Sequence, residues 1–110
     1  MKTGDLFYTS WGYDQTNYDY IVILSISDTG KTALCQRAKH TNIGNDGYGS
    51  DLQKPISEGY GDIFRMRIDG KYLRGSYPYC HDAVGPKRLD SFSPCTANDV
   101  FAETDCYHGH

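Results

Sequence analysis

The sequence predicts a small, mainly β protein (β-rich α+β): an antiparallel curled sheet or open barrel of about six or seven strands, with one long glycine-rich loop. Two observations carry that expectation. Short runs that alternate or are wholly apolar recur along the chain between turn signals, and no stretch holds a helical period for long. The 110 residues suffice for one domain, residues 1–110, around one core. Only 38% of residues are apolar, but the aromatic share of 14%, with ten tyrosines, makes that core aromatic-rich.

Leu6 to Ser10 alternates, with Leu6 and Tyr8 on one face and Phe7 and Thr9 on the other. Tyr20 to Leu24 is apolar on both faces, as a central strand requires, before Ser25-Ile26-Ser27 alternates toward water. Asp28-Thr29-Gly30-Lys31 is a turn whose glycine suits positive φ, and Thr32 to Arg37 returns to complete a β-meander. From Lys39 to Asp62 no period persists, so the segment reads as the long loop, with a short helix over Ser50–Lys54 the one element it offers. Phe64 to Ile68 alternates strictly, Asp69-Gly70 signals a two-residue hairpin, and Lys71 to Tyr77 returns. With Asp69-Gly70 as the loop, Ile68 faces Lys71, Arg67 faces Tyr72, Met66 faces Leu73 and Arg65 faces Arg74. Phe64, Met66, Ile68 and Leu73 then point to the core, while Arg65, Arg67, Tyr72 and Arg74 share an outer face. Residues 78–86 are a connector, and Lys87–Ser93 with Val100–Thr104 reads as a last hairpin around Pro94–Asp99.

A net charge of −3 argues against general attraction to nucleic acid or anionic lipid and leaves a local basic face open. The longest apolar run is too short to span a bilayer, and Met1 leads into the first strand without an apolar signal stretch, so the expected setting is the cytoplasm of a host cell. There Cys35, Cys80, Cys95 and Cys106 are reduced. Cys80-His81 and Cys106-Tyr107-His108 bring thiolate and imidazole close, so one structural zinc on Cys80, His81, Cys106 and His108 is the alternative to no cofactor. The absent Cys-x2-Cys spacing favours small buried thiols instead.

Three features carry candidate chemistry. The turn holding Trp11, Tyr13, Asp14, Gln15 and Asn17 concentrates interface-type anchors, although such side chains also serve to hold a turn's own backbone. The outer face of Arg65, Arg67, Tyr72 and Arg74, extended by Lys87 and Arg88, suits phosphates and a stacked base or an acidic protein; its plain alternative is a solvated sheet face. His108 is a further binding candidate, and His108 and His110 with Asp14 would permit acid/base hydrolysis of a phosphodiester. No complete catalytic motif occurs, so no enzyme is expected.

Gly4-Asp5-Leu6-Phe7-Tyr8-Thr9-Ser10-Trp11-Gly12-Tyr13-Asp14-Gln15-Thr16-Asn17 resembles the opening of a family of small phage and mobile-element proteins. Arg88–Phe92 and Glu103–His110 are similar to that family's closing strand, hairpin and terminal Gly-His. The likeness covers about the first 38 and last 24 residues; residues 39–86 and the inserted His108 depart from it. It implies a mobile-element setting, in which small single-domain proteins bind and block host defence machinery, CRISPR effectors included. The expected function is a non-enzymatic protein-binding inhibitor of a host defence nuclease, anti-CRISPR-like in kind. A nucleic-acid binder using the basic face and a small hydrolase are the alternatives.

Overall fold

The computed structural model describes residues 1–11, 17–45, 47, 50–78 and 87–104. Seven strands make one antiparallel sheet: β1 (Leu6–Trp11), β2 (Asn17–Ile26), β3 (Thr32–Asn45), β4 (Ser50–Asp69), β5 (Tyr72–Pro78), β6 (Lys87–Cys95) and β7 (Phe101–Thr104). Their order is β3-β2-β1-β6-β5-β4-β7, and β3 also pairs with β4, so six strands close into a ring-like sheet with β7 appended to β4. The described residues contain no helix. The mainly β expectation therefore holds, as does the opening meander, whose turn places Gly30 at φ 70 and closes through Ser27 N–H donating to the Thr32 carbonyl at 2.9 Å.

Strand alternation sorts the side chains into two cores. Phe7, Ile21, Ile23, Ala33, Cys35, Phe64, Met66, Leu73, Tyr77 and Phe92 fill the inside of the ring. Tyr77 and Phe92 meet edge-on with centroids 4.8 Å apart. Each large side chain in this set contributes roughly 1.5–3 kcal/mol by leaving water. Leu6, Tyr20, Val22 and Ala38 form the second core on the outer side of β1 and β2, with Tyr8, Tyr18 and Phe101 packed against them. β2 is apolar on both faces because both are covered.

What covers the outer face is the segment expected to be a loop. Residues 39–62 instead lengthen β3 and β4 into one long hairpin, and Ser50–Lys54 is strand, not helix. The 20 residues of β4, laid straight, would run for about 60 Å at ~3.3 Å each. The molecule's longest dimension is 46 Å, so the hairpin bends. Register shifts fall between Gln36 and Arg37, Ala38 and His40, and Asn42 and Gly44, with Gly61 at φ 77 on the opposing strand. Each shift breaks the two-residue period, and this is why the sequence pattern dissolves here. Beyond the bend the distal hairpin and β7 form an arm over β1 and β2. Ser57 Oγ donates to the Gly4 carbonyl at 2.9 Å, the Tyr20 hydroxyl donates to Gln53 Oε1, and the Phe101 ring lies 4.7 Å from that of Tyr8.

Two further pairings differ from expectation. β4 and β5 join through Gly70-Lys71, with Asp69 opposite Tyr72, Ile68 opposite Leu73 and Arg67 opposite Arg74. Gly70 takes φ 63 at the first loop position and no non-glycine residue among the described residues, Lys71 included, has positive φ, the II′ pattern, in which glycine leads. The register has moved by two residues, and a two-residue slip returns every side chain to its original face. Met66 and Leu73 are buried while Arg65, Arg67 and Arg74 are exposed, so the predicted faces stand although the predicted partners do not. The expected last hairpin does not form either. β6 already has β5 on one edge and β1 on the other, so β7 pairs with β4 and delivers Phe101 to the second core.

Candidate protein-binding face

The outer surface of the ring along β3, β4 and β5 gathers the basic residues anticipated above. Leu34 stands opposite Arg65, Thr32 opposite Arg67, and Arg67 opposite Arg74. Like charges directly opposed across strands destabilise a sheet, so the Arg67–Arg74 juxtaposition serves the fold nothing. Arg74 Nη1 reaches Asp69 Oδ2 at 3.2 Å, an exposed pair that relieves part of the repulsion. Neither Arg65 nor Arg67 has an ion-pair partner among the described residues.

Apolar groups share this face. Leu34 is 38% exposed, Ile63 59% and Tyr72 39%. Lys71 Nζ lies 5.5 Å from the centre of the Tyr72 ring, near enough for a cation–π contact. Arginine, tyrosine and open aliphatic side chains on one sheet face are the composition of a contact patch. The sequence located Arg65, Arg67, Tyr72 and Arg74, but Ile63 escaped because it precedes the alternating run, and Leu34 because Thr32–Arg37 does not alternate strictly enough to assign its faces. The side chains of Lys87 and Arg88 lie outside the described set.

The other anticipated sites lie largely outside the described residues. Trp11 and Asn17 pair across the end of the β1–β2 hairpin, where Trp11 is described by its backbone alone and the buried Asn17 Nδ2 has no hydrogen-bond partner among the described residues. Tyr13, Asp14 and Gln15 lie outside the described residues, as do Cys80, His81, Cys106, His108 and His110. Among the described residues no group of three or more His, Cys, Asp or Glu side chains is placed to hold a metal. Cys35 and Cys95 are thiols there. Burial pushes Cys35 up to about 12. Burial, with Asp99 adding to it, does the same for Cys95.

One constellation was missed entirely. Arg37 Nη2 donates to Asp19 Oδ1 at 2.8 Å and the Tyr77 hydroxyl donates to Asp19 Oδ2 at 2.7 Å, tying β2, β3 and β5 together inside the ring. The Arg37 and Asp19 side chains are only 12% and 8% exposed. With both carboxylate oxygens engaged, Asp19 clamps the three strands together. Tyr60 adds its ring 5.8 Å from the Arg37 guanidinium. The signal was present: Asp19 has the parity of Ile21 and Ile23, which places its carboxylate inward, where it requires a partner.

Comparison with known proteins finds no matching family model, no similar curated protein and no similar solved structure.

Proposed function

We propose that this chain is a non-catalytic binding module that docks on an acidic surface of a partner protein through the outer face of β3, β4 and β5. One observation carries the reading: Arg65, Arg67 and Arg74 stand exposed beside Leu34, Ile63 and Tyr72 on a single sheet face, in a chain whose net charge is −3. Guanidinium groups supply bidentate hydrogen bonds to carboxylates, and the aliphatic side chains supply desolvated area. The resemblance of the opening segment to mobile-element proteins suggests the partner: a host protein of the defence machinery, with a nuclease as the target inhibited.

The test is capture of partners from the native host with the wild-type chain and with the combined variant Arg65→Gln, Arg67→Gln, Arg74→Gln. These outward changes cost the fold within about 0.5 kcal/mol each, and partner affinity is expected to fall sharply. Undiminished affinity in the triple variant would leave the face a solvated surface. A nucleic-acid partner is distinguished by salt, because its affinity falls steeply as phosphate contacts are screened, whereas a partly apolar protein interface falls less.

A further inference from the structure

We infer that the end of the ring where β1 and β5 begin and β6 finishes is a binding cleft for a small zwitterion with an apolar body, an α-amino acid with a large hydrophobic side chain. The outer face of β3, β4 and β5 takes no part in it. Phe7, Leu73 and Phe92 point into the ring. Asp5 and Pro94, two positions nearer that end on the β1 and β6 segments, keep the same inward parity, and the Gly70-Lys71 loop closes the same end. Met1, Asp5, Phe7, Gly70, Lys71 and Pro94 together line a cleft of about 320 Å³. That volume lies at the lower end of the range for small-molecule pockets, and such pockets form preferentially in the mouths of closed sheets.

The occupant follows from the two charges in this lining. Phe7 stands opposite Pro94, and the Leu73–Phe92 register carried on by two residues sets Lys71 level with Pro94. Lys71 and Asp5 therefore sit two strand spacings apart and two residues out of step, about 12 Å between Cα atoms. Neither belongs to an ion pair among the described residues. Asp5 Oδ2 accepts the Lys2 N–H at 2.8 Å, which fixes the wall that carries Met1, and Oδ1 has no hydrogen-bond partner among the described residues. Lys71 Nζ rests 5.5 Å from the centre of the exposed Tyr72 ring, a weak contact that a carboxylate in the cleft replaces. A simple anion would meet Asp5, a simple cation would meet Lys71, and a wholly apolar molecule would cover both charges without a partner. An α-amino acid answers both, its ammonium on Asp5 and its carboxylate on Lys71, with the hydrophobic side chain laid on Phe7, Met1 and Pro94.

The experiment maps amide chemical shifts of the whole chain during titration with phenylalanine, with phenylalaninamide, phenylpropionate and glycine as comparators. Shifts are expected over residues 4–8, 69–73 and 92–95, with a dissociation constant no weaker than about 1 mM. Each comparator lacks the carboxylate, the ammonium or the apolar body, and each is expected to bind roughly tenfold more weakly, as is phenylalanine to Lys71→Gln or to Asp5→Asn. Absence of shifts in these three segments overturns the site. Phenylpropionate as tight as phenylalanine overturns the contact with Asp5, phenylalaninamide as tight overturns that with Lys71, and glycine as tight overturns the apolar floor; any one of them overturns the occupant. The comparators are read on the unaltered chain, so they decide the matter even if Asp5→Asn loosens the turn that carries Met1. The combined variant of Arg65, Arg67 and Arg74 is expected to bind phenylalanine unchanged, which separates this cleft from the outer face.

Discussion

Replacing Asp19 by alanine tests the internal clamp. The change strips the Arg37 guanidinium, 12% exposed, of a 2.8 Å carboxylate partner and removes the acceptor of the buried Tyr77 hydroxyl. Removing one member of a buried pair costs about 3–5 kcal/mol, because the surviving charge stays desolvated. A domain of this size holds ~5–15 kcal/mol in all, so Asp19→Ala consumes a large share. With an unfolding entropy of about 2.1 cal/mol/K per residue, the melting temperature should drop by roughly 13–22 °C. Urea titration followed by circular dichroism reads the loss. Two companions sharpen it. Tyr77→Phe leaves the Asp19–Arg37 pair intact and should cost only about 1–2 kcal/mol. The double variant Asp19→Leu, Arg37→Met removes both charges and should recover most of the single-variant loss. If Asp19→Ala costs under about 1 kcal/mol, as an exposed pair would, the clamp is not holding the ring and the reasoning fails.

Two other outcomes follow from the structure. A Cβ added at Gly59 would lie 2.2 Å from Gln36 Oε1, so Gly59→Ala must displace a side chain whose Nε2 donates to the Gly61 carbonyl at 2.7 Å. The expected cost is about 1 kcal/mol, suppressed when Gln36→Ala is added, and a full penalty in that double variant would show the crowding to be elsewhere. The cysteines set an alkaline limit. Folded Cys35 and Cys95 are raised from 9.0 to about 12, so the unfolded chain releases these protons first. The stability they contribute is fully present below pH 9.0 and is lost as pH rises toward about 12. Thiol labelling of the native protein at neutral pH should accordingly be slow and should accelerate in denaturant; rapid native labelling at either cysteine would contradict its burial.

By itself the sequence determined the local pieces: where β1, β2 and the β2–β3 turn fall, that β2 is covered on both faces, and which side chains of Phe64–Ile68 and Tyr72–Arg74 face inward. These are legible because a strand's two-residue period is written in its own residues and survives a two-residue slip in register, as the Gly70-Lys71 loop demonstrates. Only the tertiary structure decided the rest. The bulges of the β3–β4 hairpin erase the period over 39–62, so its strands cannot be read from pattern. The pairing of β7 with β4 depends on both edges of β6 being taken by strands distant in sequence. The same holds for the clamp. Asp19 advertises its inward parity, but Arg37 and Tyr77 are 18 and 58 residues away along the chain, and only closure of the ring brings a guanidinium and a phenol to a carboxylate that could not otherwise be buried charged.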